Sequence, residues 1–334
     1  MSIVNTLRLT AADVALAGQL LAGGQTVAIP TETVYGLAAN ALDEAAVRHI
    51  FEAKGRPADN PLIVHIADRA ELIFLVTNIP PVAKKLTDAF WPGPLTLILP
   101  RAPRVPAVVS AGLPTVAVRF PSHPLAQQII QAAGVPLAAP SANRSGSPSP
   151  TTAAHVLADL DGRIAAVVDG GPCAVGVEST VVDLTGGTPR LLRPGGVTPE
   201  QLRAVCGEVI IDPTVLAPLG DRAAPSPGLK HKHYAPATKT VLVEGSSAAY
   251  AEYVNTQSSA AALCFDSDVP SLKIPFVSYG DGDACAQRVF AALREADTLG
   301  AQCIYAHAPE KSGLMLAVYN RLLRAAEFEV IPLG

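Results

Sequence analysis

Residues 26–37 read Thr26-Val27-Ala28-Ile29-Pro30-Thr31-Glu32-Thr33-Val34-Tyr35-Gly36-Leu37. Residues 26–29 have the apolar character of a short buried strand, and two threonines, an acid and a tyrosine follow it directly. Chemistry-bearing side chains packed against a strand end are a candidate site, because loops held by a rigid scaffold carry function. Upstream, Thr10 stands where an N-cap opens a helix over 11–21, which Gly23-Gly24 ends. Downstream, a helix over 43–54 stops at Gly55. Apolar runs then predict strands at 62–66, 95–99, 116–120, 137–139, 165–168, 180–184 and 190–192. Helices are predicted at 80–90, 124–133, 151–160 and 199–205, the last opened by Thr198 with Gln201 at capping-box spacing. Strands outnumber helices and come in uneven order. That predicts an α/β fold whose twisted mixed β-sheet has flanking helices, not a strict βαβ series.

From 212 to 238 the periodicity fails. Pro213, Pro218, Pro225, Pro227 and Pro236, with Gly220 and Gly228, make a stiff extended connection. Beyond it, strand patterns at 240–243, 261–265, 276–279 and 303–307 alternate with helical ones at 247–254, 284–299 and 314–326. This predicts a small Rossmann-like α/β domain. The expected division is 1–208, a proline-rich linker over 209–238, and 239–334.

Composition bounds the function. The 334 residues give room for two cores, and 49% of them are hydrophobic. Charged residues make up 16%, below the roughly 25% of an average chain, and 30 prolines are present. A net charge of −4 argues against a whole-surface footprint for nucleic acid or an anionic membrane, and leaves room for a local basic pocket. The five cysteines form no CxxC pair and read as free thiols of a reducing compartment. The first residues have no secretory pattern, and no apolar stretch has membrane-spanning length. The expectation is a soluble, cytoplasmic enzyme.

No GxxxxGK[ST], GxGxxG, HExxH or GxSxG pattern occurs, so any bound phosphates must meet dispersed cations and hydroxyls. The stretch EAKGRPADNPL (52–62) places Lys54, Arg56 and Asn60 just past a helix end. Either cation alone could simply complement the helix dipole, for about 0.3–1 kcal/mol. Gly55 and Pro57 stiffen the turn, which suits a polyanion better than a flexible face does. Ser141 and Asn143 follow a strand, where open α/β sheets bind ligands. Arg119 ends a buried strand and either pairs internally or holds a substrate carboxylate; Arg193 has the same two options. Ser179 opens a strand, and Glu178 beside it is compatible with a structural role. In SPGLKHKHYAP (226–236) two histidines, two lysines and a tyrosine sit inside the linker, as a solvated basic patch or as a cationic lid.

Taken together, PTETVYGL, AKGRPADNPLIVH, WPGPLT, TVAVRFP, APSANRSGSPSPT, GVESTVVD, RPG and SPGLKHKHYAP run collinearly over 26–236. This set resembles the YrdC-like family, specifically its two-domain members, the threonylcarbamoyl-AMP synthases. The resemblance implies that L-threonine, bicarbonate or CO2, and ATP with Mg2+ give threonylcarbamoyl-AMP and pyrophosphate. A downstream tRNA threonylcarbamoyltransferase complex would use the product to modify tRNA beside the anticodon. By resemblance, Lys54, Arg56, Asn60, Thr115, Ser141, Asn143, Ser149 and Arg193 would hold ATP, with Lys54, Arg56, Ser141 and Asn143 as the catalytic KxR and SxN elements. Thr33, His65, Arg119 and Ser179 would hold threonine, Arg119 clamping its carboxylate. Tyr35 would line the site and the Ala139 backbone would touch threonine. His231, His233 and Tyr234 would close over the triphosphate. Mg2+ is expected through the ATP phosphates and not through protein ligands, with no membrane partner and no direct tRNA contact. Two readings from other classes remain: a double-stranded RNA binder, which the net charge disfavours, and carbamoyl transfer to another acceptor. The larger enzymes of that second kind carry acylphosphatase or zinc-finger modules with no counterpart in these residues.

Overall fold

A computed structural model of the chain describes residues 5–219 and 234–333. One mixed sheet contains β1 (Leu7–Leu9), β2 (Val27–Ile29), β3 (Gly36–Asn40), β4 (Ile63–His65), β5 (Leu95–Pro100) and β6 (Thr115–Arg119). It continues with β7 (Leu137–Ala138), β8 (Ala166–Val168), β9 (Thr180–Asp183), β10 (Arg190–Arg193) and β11 (Ile210–Ile211). Their spatial order is β1-β8-β2-β3-β7-β4-β6-β5-β9-β10-β11. The accompanying helices are α1 (Val14–Ala22), α2 (Glu44–Lys54), α3 (Leu72–Leu75), α4 (Pro81–Phe90), α5 (Pro124–Ala133), α6 (Ala153–Leu160) and α7 (Pro199–Cys206).

The helix-start signals act as written. Thr10 and Asp13 form a capping box around a 3-10 turn that leads into α1, Asp43 caps α2, and Thr198 and Gln201 form a capping box on α7. Three strands of this sheet carry no sequence signal, β1, β3 and the two-residue β11. β1 has three residues, and β3 is Gly-Leu-Ala-Ala-Asn, nearly all buried and so without alternation. β3 pairs antiparallel with β2, Val27 opposite Ala38. Residues 30–35 are therefore the turn of a hairpin and not a loop into a helix.

The alternation of strand side chains decides which face takes the site. Val64, Leu97, Val116, Val118, Val182 and Leu191 turn into the main core. Ile63, Ile98, Ala117, Val181 and Leu192 make a small apolar floor on the other face. His65, Thr96 and Arg119 stand at its edge, because β4 pairs parallel with β6 at His65–Arg119 and β5 pairs antiparallel at Thr96–Arg119.

The second lobe has a parallel sheet of β12 (Lys239–Glu244), β13 (Ala260–Cys264), β14 (Phe276–Ser278), β15 (Cys303–His307) and β16 (Val330–Pro332), ordered β14-β13-β15-β12-β16. Its helices are α8 (Ser247–Val254), α9 (Ala284–Ala296) and α10 (Met315–Ala325). The lobes share a core, for Val34, Val177 and Tyr234 pack in one cluster with Phe290, Leu322 and Leu323. Gly176 allows that contact: a Cβ there would stand 2.3 Å from the Ala286 carbonyl oxygen of α9. Arg294 of α9 pairs with Asp159 of α6 at 2.8 Å. Part of the expected linker is ordered, since Thr214 and Val215 lie in a 3-10 turn whose carbonyls accept from Arg324 and Asn320 of α10. Among the described residues no helix is long and apolar enough to cross a membrane.

Candidate active site

The polar edge of the sheet opens into a cleft. Thr31, Thr33, Gly36, Arg56, His65, Arg119, Ala139, Ser141, Glu178, Ser179, Arg193 and Tyr234 line it. The cleft thus collects nine of the expected residues from eight separate segments of the chain.

At one end the groups sit on or beside strands and are bonded to one another. Arg119 donates Nη1 to the Thr33 hydroxyl at 2.8 Å and Nε to the Gly93 carbonyl at 3.4 Å, while Nη2 lies 2.8 Å from a Glu32 oxygen. Burial pushes the Glu32 carboxyl up, but the Arg119 charge, hydrogen bonds from Arg119 and the Ser122 amide hold it below the ordinary range. Of the two options left open for Arg119, internal pairing is present, and the guanidinium still faces the cleft. The Thr31 hydroxyl donates to the Val34 carbonyl at 2.6 Å, so in its 2.8 Å contact with Thr33 it must accept. Thr33 therefore spends its proton on Thr31 and one lone pair on Arg119, leaving one lone pair for a ligand donor. His65 is pushed down to about 3, by burial first and then by Arg119, and is neutral at ordinary pH.

Ser179 closes this end, its hydroxyl 2.7 Å from Thr96 and accepting from Arg193 Nη2 at 3.1 Å. Gly195 is required here, because a Cβ would stand 2.3 Å from the Glu178 carbonyl oxygen and 2.4 Å from the Thr180 nitrogen. The RPG turn can therefore press against Glu178–Thr180 and aim Arg193 into the cleft.

The other end is built on loops. Arg56 follows Gly55, whose left-handed φ of 61° ends α2. Its Nη2 reaches the Asn60 and Pro61 carbonyls at 3.4 and 3.3 Å, and burial lowers its guanidinium to about 10. Asn60 is fully buried, and neither amide atom has a hydrogen-bond partner. Among the described residues that sets Asn60 apart, since buried polar atoms are otherwise satisfied. Lys54 is the basic residue of the last turn of α2, and its side chain ties two loops together. Its Nζ donates to the Ser141 and Asn143 carbonyls at 2.5 Å each and to Asn143 Oδ1 at 3.4 Å, which occupies its three protons. Burial, then the Arg56 charge, holds it well below the usual lysine range. Asn143 accepts from the Ser141 hydroxyl at 2.5 Å and donates to the Arg144 and Ser147 carbonyls at 2.8 Å each.

Four further expected residues stand off the cleft. Tyr35 alternates with Gly36, so its ring turns the other way and its hydroxyl donates to the Gly171 carbonyl at 2.8 Å. Ser149 is buried and donates to Glu178. Asn143 stands behind Ser141. Thr115 begins β6, at the opposite end of the strand from Arg119. His231 and His233 lie outside the described residues. Sequence reasoning missed the Glu32–Arg119 pair, the Lys54 grip, Thr96, and Arg321 of α10, whose Nε lies 2.6 Å from Glu178 Oε2. The acid in the strand-end motif was a signal for the first; the others carry none.

A family model described as telomere recombination matches residues 19–195, and one described as threonylcarbamoyl-AMP synthase, C-terminal domain, matches 197–327. The threonylcarbamoyl-AMP synthase of Pyrococcus abyssi is 46% identical over 95% of this chain and 94% of its own. That of Bacillus subtilis is 45% identical over 96% and 94%. The crystal structure of the Pyrococcus abyssi protein Sua5 complexed with L-threonine superposes with a TM-score of 0.90 at 43% identity, covering 98% of this chain and 99% of that one.

Proposed function

The chain belongs to the two-domain threonylcarbamoyl-AMP synthase family, and from that premise we propose that its cleft joins L-threonine, CO2 from bicarbonate, and ATP into threonylcarbamoyl-AMP and pyrophosphate. The observation that carries this reading is the cleft's division, with Arg119 over Thr33 at one end, Arg56 and Ser141 at the other, and Arg193 near enough to Arg56 and Arg119 to interact with both charges. The relatives' name and the threonine complex of the Pyrococcus abyssi protein support it.

Threonine lies at the strand end, its carboxylate on Arg119 and its hydroxyl donating to the open lone pair of Thr33. Its deprotonated amine adds to CO2 and releases a proton, giving a carbamate. A carbamate oxygen then bonds to the α-phosphorus as the bond to the pyrophosphate oxygen breaks. Such transfer rests on alignment and on neutralising charge at the leaving group. Arg56 and Arg193 supply that charge, Asn60 and Ser141 hydrogen-bond ATP, and Lys54 with Asn143 fixes the Ser141 loop. With its pKa near 3, His65 orients the substrate as a neutral group and is a poor base. Mg2+ would be held by the ATP phosphates and would supply further neutralising charge there. Among the described residues no three His, Cys, Asp or Glu side chains gather to hold a metal, and Glu32 and Glu178 are each taken by an arginine. The product's consumer is a transferase acting on tRNA.

The test is pyrophosphate release from ATP by the full chain. Release that requires both L-threonine and bicarbonate supports the assignment. Equal release without threonine overturns it.

A further inference from the structure

The largest fully buried side chain among the described residues, Arg321, belongs to the second lobe and yet ends against Glu178 in the wall of the first lobe's cleft. Its Nε lies 2.6 Å from Glu178 Oε2, Nη2 donates to the Pro194 carbonyl at 3.0 Å, and Nη1 donates to Asn320 Oδ1 at 2.7 Å. Its guanidinium carbon stands 5.4 Å from the centroid of the Tyr234 ring. Tyr234 is itself held at φ 65°, a left-handed conformation rare for such a side chain, with Phe290 5.3 Å away. Asn320 and Arg324, donating to the Val215 and Thr214 carbonyls, fix α10 on either side.

Glu178 and Tyr234 both line the cleft. A carboxylate in the wall of a site for a polyanion repels its ligand unless a counter-charge is fixed behind it. Arg321 is that counter-charge. We infer that Arg321 is a positioning residue for the nucleotide: it neutralises and orients Glu178 and backs Tyr234, so that the second lobe completes the phosphate end of the cleft. The inference rests on ATP being the ligand there. Facing Glu178 are Arg321 on α10, Arg193 on β10, Lys54 at the end of α2, the Ser149 hydroxyl and Tyr234. Burial pushes the Glu178 carboxyl up, but Arg321 first and Arg193 second hold it below the ordinary range, so it is charged at neutral pH. Without Arg321 burial regains weight and its pKa rises.

The experiment compares full-length wild type with Arg321→Met, Glu178→Gln and the double variant, by pyrophosphate release and by calorimetry with ATP and with threonine. Arg321→Met raises KM for ATP about 10–100-fold and KM for threonine far less. Glu178→Gln keeps the shape of the wall and does not weaken ATP binding. The double variant, with no charge left to balance, returns to within about threefold of wild type in ATP affinity. Equal losses for both substrates, or a double variant no better than Arg321→Met, overturns the inference. If Arg321→Met does not fold, weakened ATP binding by Glu178→Gln overturns it. If wild type itself shows no threonine-dependent release, the functional assignment has failed first.

Discussion

The two ends of the cleft are built differently. At the threonine end His65, Thr96 and Arg119 lie in strand register, and Thr33 and Arg119 are bonded to each other before any ligand arrives. At the phosphate end Arg56 and Ser141 ride on loops, the Asn60 amide has no partner, and Lys54 serves as the tie between loops. Strands fix positions to a fraction of an ångström, which suits telling one small substrate from another. Loops with cations suit a large ligand recognised mostly by charge. The contrast teaches that selectivity and charge neutralisation are separable here, and single substitutions should separate them.

The largest effect expected tests the stiff end with the substrate instead of the protein. If the open lone pair of Thr33 receives the substrate hydroxyl, valine is rejected by on the order of 10⁴-fold in kcat/KM, and serine, lacking only a methyl, by about 10–200-fold. Comparable turnover of valine, measured by pyrophosphate release, breaks the contrast at its root.

Next come the two arginines. Arg119→Ala strands the buried Glu32 carboxylate, so about 3–5 kcal/mol of stability is lost along with threonine binding. Arg56→Ala costs about 1.5–3 kcal/mol in ATP affinity and leaves melting temperature and threonine binding near wild type. Calorimetry and thermal melts read both. Should both variants lose both ligands equally, the ends are one unit.

A smaller effect sharpens the loop end. Lys54→Met leaves the carbonyls of Ser141 and Asn143 without their donor, and about 1–3 kcal/mol of stability goes with it. A melt unchanged by Lys54→Met would mean that Lys54 faces ligand, not loop.

The smallest effect is in pH. The His65 pKa is depressed to about 3 in the folded chain against about 6.5 unfolded. Above pH 6.5 both states are neutral and His65 contributes no pH dependence. As pH falls below 6.5 the unfolded chain binds the proton and the folded one does not, so stability declines down to about pH 3. At pH 5 the deficit is roughly 2 kcal/mol. Chemical denaturation at pH 7 and pH 5 should show that decline in wild type and a shallower one in His65→Gln. Equal declines in the two proteins would mean that His65 is solvated and the stiff end is not.

The sequence was informative where one local rule decides the outcome. Thr10, Asp43 and Gly55 fixed helix ends, apolar runs fixed β4, β5 and β6, and the strand-end motif held Thr31 and Thr33, which do line the cleft. It failed where a residue's meaning depends on a distant partner or on a face. Tyr35 belongs to the same motif, but one step of strand alternation turns it away. β3 escaped notice because a strand of small residues buried on both sides has no alternation to detect. Lys54 looked like a ligand cation because nothing local says that Ser141, 87 residues on, will bring a carbonyl to it. Arg321 was least legible, since an arginine on an amphipathic helix reads as solvent-facing, and only the docking of two lobes makes it the most deeply buried cation among the described residues.

Glu178 and Arg321 are 143 residues apart in the chain. Synthesis at roughly 5–20 residues per second separates their emergence by about 7–30 s. For that interval the first lobe can collapse around its own core, but the wall of its cleft holds an acid with no answering charge from α10. On the roles proposed above, the nascent chain passes through a period in which the strand-borne seat for threonine is complete and the nucleotide end still lacks its counter-charge. Competence waits for α10, the helix that carries Arg321.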